Sequence, residues 1–126
     1  MSMIEIIKKT LEEIKRTSKV YEWDNINDVI RVVNQMDVEC VIVYINSNGY
    51  TCSTSIDHFL NTYTEASNDN RRLLLIPHHL FQYIQRLVSP LDDKVDREII
   101  DYIVKYLNES YPDFNFYNAF GYIFEY

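Results

Sequence analysis

The run Cys40-Val41-Ile42-Val43-Tyr44-Ile45 enters Asn46-Ser47-Asn48-Gly49, and a polar run, Tyr50 to Ser55, leaves it. Asn-Gly between two extended segments is the strongest short hairpin signal, because both central residues of a type I′ turn need positive φ. Taking Asn48-Gly49 as a two-residue loop, Ser47 faces Tyr50, Ile45 faces Cys52 and Val43 faces Thr54. One face then carries Val41, Val43, Ile45, Cys52, Thr54 and Ile56. The other carries Cys40, Ile42, Tyr44, Thr51, Ser53 and Ser55. The first is the expected core face, since register decides which side chains meet the core.

The same register bears on chemistry. It puts Cys40 and Cys52 on opposite faces and out of step along the ladder, whereas a disulfide needs Cα atoms within about 7 Å. Eleven residues separate them, so they form no CxxC pair. Mid-strand thiols lack the helix N-terminus that would lower their pKa. His78 and His79 are neighbours and point about 100° apart on a helix, and no H-x-x-x-H or H-E-x-x-H spacing exists. With Gly49 and Gly121 as the chain's two glycines, no phosphate-cradling loop is available. These readings predict no catalytic residue, no metal and no cofactor. A small enzyme using Cys52 or His58 is the weakest of the functional readings.

Elsewhere, Ile4, Ile7, Leu11 and Ile14 recur at helical spacing and predict a helix from Met3 to about Ser18. Over residues 20–36 two patterns compete. Trp23, Ile26, Ile30 and Val33 fit a helix capped by Asp24 or Asn25. Val29, Arg31 and Val33 fit a strand, and the favoured reading is a turn followed by a strand over Asp28 to Val33. Phe59, Leu60 and Tyr63 could form a short helical turn in an otherwise loop-like stretch from Ile56 to Asn70. Arg72 to Ile76 predicts a short buried strand. Leu80, Phe81, Ile84, Leu87 and Val88 predict a helix from His78 to Val88, with Pro77 at its first turn. Ser89-Pro90-Leu91-Asp92 reads as the cap of a further helix reaching about Glu109, with Val95, Ile99, Tyr102, Ile103, Tyr106 and Leu107 on its buried side. Tyr111-Pro112 stops it. Phe114, Phe116, Phe120, Tyr122, Phe124 and Tyr126 share one parity, which predicts an aromatic closing strand with a bulge or close approach at Gly121. Strands and helices are segregated rather than alternating. The expected class is therefore α+β in one domain spanning 1–126: an N-terminal helix, an antiparallel sheet with a hairpin at Asn48-Gly49, one or two helices packed on it, and the aromatic strand.

Charge narrows the partners. The formal net charge is −7, and the densest basic group, Lys8, Lys9, Lys15, Arg16 and Lys19, is interleaved with Glu5, Glu12 and Glu13. That is a solvated helix face rather than a phosphate-binding patch, so direct nucleic-acid binding is not expected. No apolar run has membrane-spanning length, and the charged N-terminal stretch is unlike a signal peptide. A cytoplasmic location, in a cell or an infected host, is the default expectation. The aromatic residues near the end of the sequence are too apolar to be left in water, so either this chain or a neighbouring subunit must cover them.

Trp23-Asp24-Asn25-Ile26-Asn27-Asp28 after the first helix, Val41-Ile42-Val43 as first core strand, Leu73-Leu74-Leu75-Ile76 before a capped helix over Asp93 to Leu107, and a closing strand with Gly121 form an ordered pattern. It resembles small phage tail-completion and tail-terminator proteins. The helix expected over His78–Val88 stands where that pattern has a loop. The resemblance implies a non-enzymatic ring subunit at the head–tail joint or tail end of a virion, whose partners are other protein subunits. An acidic wall would suit a DNA conduit. The residues expected at subunit contacts are Tyr44, Tyr50, Phe120, Tyr122, Phe124 and Tyr126. The alternative is an acidic inhibitor or immunity protein that blocks a basic partner such as a nuclease. There Asp92, Asp93, Asp96, Glu98 and Asp101 would present the charge.

Overall fold

The computed structural model describes residues 2–63, 71–88 and 97–116. The elements in order are α1 (Met3–Thr17), β1 (Lys19–Glu22), α2 (Ile26–Asn34), β2 (Cys40–Ile45), β3 (Thr51–Thr54), α3 (Ile56–Thr62), β4 (Arg72–Pro77), α4 (His78–Val88) and α5 (Arg97–Ser110). The strands form one antiparallel sheet in the order β1-β4-β2-β3. The class is α+β, as expected.

Helices cover both faces. On one side, Val41, Val43, Leu74 and Ile76 meet Ile7, Leu11 and Ile14 of α1, Phe81 and Ile84 of α4, and Ile103, Val104 and Leu107 of α5. On the other, Cys40, Ile42, Tyr44, Leu73 and Leu75 meet Trp23, Val29 of α2 and Phe59 of α3. Strands buried on both faces read as continuous apolar runs, which explains why CVIVYI and LLLI show no alternation. Tyr44, expected at a subunit contact, lies in this second core at 7% exposure, its ring 5.2 Å from that of Phe59 in an edge-to-face arrangement. It is a core residue, not a surface one.

The expected strand over Asp28 to Val33 is a helix. Asn25 Oδ1 accepts from the backbone N–H groups of Asn27 and Asp28 at 2.9 and 3.3 Å, satisfying donors that a first helical turn leaves open. Ile26, Val29, Val32 and Val33 then pack into the second core. Valine-rich composition favours extended backbone only weakly, and the cap with its apolar stripe outweighs it. The strand of this region is β1, further upstream, and Trp23 N–H donating to Arg71 O at 2.8 Å extends its pairing with β4. The possible helical turn near Phe59 is α3, capped by Ser55 Oγ accepting from His58 N–H.

The hairpin forms at Asn48-Gly49 but its register differs by one residue. Ile45 pairs with Thr51, Tyr44 with Cys52 and Val43 with Ser53. Asn46 N–H donates to Tyr50 O at 2.8 Å, and Gly49 N–H donates to Asn46 O at 2.9 Å. The loop is thus the three residues Ser47-Asn48-Gly49, with Gly49 alone at positive φ, +85°. This is a turn followed by a left-handed glycine, the next commonest hairpin solution. Asn46 selects it: its Oδ1 accepts from both Asn48 and Tyr50 N–H at 3.0 Å. The shift exchanges the faces of β3, so Cys52 joins Tyr44, Ile42 and Cys40, and Thr51 joins Val43 and Val41. Cys40 and Cys52 therefore share a face. They are four ladder positions apart, roughly 13 Å at the strand rise, and both are free thiols.

Beyond α5 the chain turns back. Tyr111 N–H donates to Leu107 O and Phe114 N–H to Tyr111 O. Phe114 and Phe116 are buried in the first core at 2% and 1% exposure. The expected closing strand does not start at Phe114: Asn115 N–H donates to Thr51 Oγ1 at 3.2 Å and Phe116 N–H to Asn108 Oδ1 at 2.8 Å. Pro112-Asp113 imposes a turn, and side chains rather than a ladder take up the following amides. The rest of that expected strand, residues 117–126, and the expected cap of α5 at residues 89–96 lie outside the described residues.

Candidate functional site

Among the described residues helices cover both faces of the sheet, which leaves its two rims and one end. The β1 rim is the sequence Lys19-Val20-Tyr21-Glu22, which pairs only with β4 among the described residues. Val20 lies on the α1 side of the sheet, opposite Leu74, and is 48% exposed. The β3 rim carries Tyr50 at the hairpin tip, 45% exposed, and Thr51, fully buried beneath Asn115. A groove of about 350 Å³ lies at the end of the sheet where β1 begins and β4 ends; its lining includes Glu13, Lys19, Met36, Val38, His79 and Leu80. Arg16 pairs with Glu13 and holds that carboxyl below its usual range, with a smaller contribution from His79.

Titratable groups shifted by burial sit in the cores. Desolvation pushes the Cys40 thiol up, reinforced by Glu39, which keeps it protonated and weakly nucleophilic. Desolvation likewise raises Tyr111, partly offset by Ser18. His58 lies exposed on α3, while His78 and His79 lie exposed at the start of α4, against the opposite face of the sheet. Among the described residues no group of three His, Cys, Asp or Glu side chains is placed to hold a metal, and no helix is long and apolar enough to cross a membrane.

Of the residues expected at contacts, Tyr50 is at the surface and Tyr44 is not. Phe120, Tyr122, Phe124 and Tyr126 lie outside the described residues, as do Asp92, Asp93 and Asp96. Glu98 and Asp101 are exposed on α5, where Lys105 shares a shallow groove with Asp101 and Glu109, so the face is mixed in charge. Sequence reasoning missed Val20 and Val38, both strongly exposed. Each is a lone valine in a polar setting, Ser18-Lys19-Val20 and Met36-Asp37-Val38-Glu39, which carries no periodicity signal. It also missed Thr51 as the anchor of the returning chain, because the two-residue turn placed that hydroxyl on the other face.

No protein-family model, no curated protein and no solved structure matches this chain.

Proposed function

We propose that the protein is a structural assembly subunit, a member of a head–tail connector or tail-terminator ring of a phage particle, working through contacts with other protein subunits rather than by catalysis. The observation that carries this reading is the distribution of exposed apolar side chains at the rims of the sheet. Helices close both faces of the sheet, and large apolar side chains are exposed at opposite rims, Val20 beside β1 and Tyr50 beside β3. Two different patches on opposite sides of one subunit make a head-to-tail contact. Such contacts repeat, closing into rings when the rotation allows. The ordered pattern from Trp23-Asp24-Asn25 to the closing aromatic run supports the phage assignment, and the net charge of −7 suits a wall that DNA must slide past.

The test is light scattering coupled to size exclusion over a range of concentrations, with negative-stain microscopy, on the chain alone and mixed with purified phage tail tubes. Rings of one size, alone or on tube ends, are expected. Val20→Asp, which alters an exposed position, should shift the assembly to single subunits. A chain that stays monomeric in both settings overturns the reading. A salt-sensitive one-to-one complex with a basic protein would replace it with the inhibitor alternative.

A further inference from the structure

Asn48 is the chain's one asparagine followed by glycine, and the pair sits exposed at the tip of the hairpin between β2 and β3. The side-chain amide of an asparagine carries an electrophilic carbon, Cγ, which a five-membered ring brings within reach of the next residue's main-chain nitrogen. Most residues shield that nitrogen with their own side chain. Gly49 has none, and nothing lies within 4 Å of the place a Cβ would take. Glycine also adopts the backbone conformations that ring closure demands. Every other asparagine among the described residues precedes a residue with a side chain, and Asn27, Asn61 and Asn108 lie inside helices.

We propose that Asn48-Gly49 is a site of spontaneous covalent modification whose rate is gated by Asn46. The Gly49 nitrogen gives up its proton to hydroxide and attacks Asn48 Cγ. The new N–Cγ bond forms, the Cγ–Nδ2 bond breaks, and Nδ2 leaves as ammonia. The product is a cyclic imide. Water then adds to one of its two carbonyl carbons and breaks that carbon's bond to the Gly49 nitrogen. Opening at Cγ leaves an aspartate with the original main chain. Opening at the main-chain carbonyl leaves an isoaspartate, in which Cβ has joined the main chain and lengthened it. Water enters, ammonia leaves, and nothing is oxidised or reduced.

The hairpin holds this reaction back. Gly49 N–H donates to Asn46 O at 2.9 Å, so the attacking nitrogen is engaged as a donor. Asn46 Oδ1 clamps the loop on either side of it, accepting from Asn48 and Tyr50 N–H at 3.0 Å. Ring closure needs those bonds open. Loop tips open at the low end of a fold's free-energy range, so Asn48 converts at the unfolded chain's rate multiplied by the open fraction of the loop. Losing the two bonds to Asn46 Oδ1 raises that fraction about tenfold. The consequence reaches the core. Isoaspartate lengthens the loop between Asn46 and Tyr50, whose pairing sets the register of β3, and so displaces the Thr51 hydroxyl from Asn115 N–H. Aspartate keeps the loop's length and adds a negative charge close to exposed Tyr50.

Full-length protein, Asn46→Ala and Asn46→Asp are incubated at mildly alkaline pH, native and in urea. Ion exchange follows the gain of charge, and fragmentation mass spectrometry locates it and separates aspartate from isoaspartate. Asn48 should convert before any other described asparagine, and more slowly native than in urea. Native Asn46→Ala should convert about tenfold faster than the unaltered chain, with equal rates in urea. Asn46→Asp keeps an acceptor oxygen and should convert natively like the unaltered chain; conversion at the alanine variant's rate overturns the gate, as does an alanine variant no faster than the unaltered chain. Native Asn48 that stays intact while the urea-unfolded chain converts fully, or earlier conversion at another described asparagine, overturns the site itself. In the purified isoaspartate form, hydrogen exchange at Asn115 should be about tenfold faster; an unchanged rate overturns the link to Thr51.

Discussion

Thr51→Val isolates one hydrogen bond that ties the returning chain to the sheet. Thr51 is fully buried, and its hydroxyl accepts from Asn115 N–H at 3.2 Å. Valine keeps the shape and the strand preference but removes the acceptor. The lost bond is worth about 1 kcal/mol, and leaving a part-buried amide without a partner raises the cost to about 1–3 kcal/mol. The gain from a second methyl in the same volume, about 0.8 kcal/mol, offsets part of it. The net expectation is a destabilisation of about 1–2 kcal/mol, a fall in midpoint temperature of roughly 3–8 °C for a chain of this size. Thr51→Ser keeps the hydroxyl and loses one methyl, so it should cost no more than about 1 kcal/mol. Urea unfolding followed by circular dichroism measures both, and hydrogen exchange at Asn115 reports the local effect. If valine proves at least as stable as threonine while serine is destabilised, Thr51 acts through packing alone and the tie to residue 115 is energetically empty.

Gly49→Ala should cost about 1–2 kcal/mol, because φ is +85° although nothing lies within 4 Å of an added Cβ; equal unfolding midpoints would show that the loop relaxes into another turn. Tyr44→Ala should destabilise by about 3 kcal/mol or more, as deletion of a buried ring does, and a neutral result in urea would return Tyr44 to the surface. Maleimide should label half-buried Cys52 well before Cys40, whose labelling should follow global unfolding. Burial raises the folded pKa of Cys40 and of Tyr111. Their stabilising contribution is complete below the unfolded-state values and is lost as pH rises through the folded ones. Unfolding monitored towards alkaline pH should therefore show stability declining, less steeply in Cys40→Ala, and parallel curves would refute the assignment.

Much of the fold was legible because its signals are local. The Ile7, Leu11, Ile14 stripe of α1, the apolar run of β4 and the 3.6-residue pattern of α4 each depend on a few neighbours in sequence. What was hidden depends on satisfaction of particular polar groups. In the segment Ile26–Asn34, five β-branched apolar residues, Ile26, Val29, Ile30, Val32 and Val33, look like strand material. Asn25, by meeting two otherwise open amides, makes it helix. The exposure of Val20 could not be read from sequence at all, since the edge position of β1 depends on its pairing with β4, more than fifty residues downstream.

The hairpin shows how one polar side chain reaches across the molecule. Asn-Gly alone argues for a two-residue loop, in which Thr51 would point to the same face as Ile42 and Tyr44. Asn46 draws Asn48 and Tyr50 amides onto its carbonyl and lengthens the loop by one residue. That single step turns Thr51 toward the α5 side, where its hydroxyl meets Asn115. It also turns Cys52 toward the second core. The tie at Asn115 is therefore set some seventy residues upstream in the chain. Substituting Asn46 by alanine leaves Asn48-Gly49 free to form the shorter loop, and a β3 slipped by one residue would no longer present the hydroxyl that accepts from Asn115 N–H. The same substitution should then speed hydrogen exchange at the Asn115 amide, which follows only if register in the hairpin places the Thr51 hydroxyl.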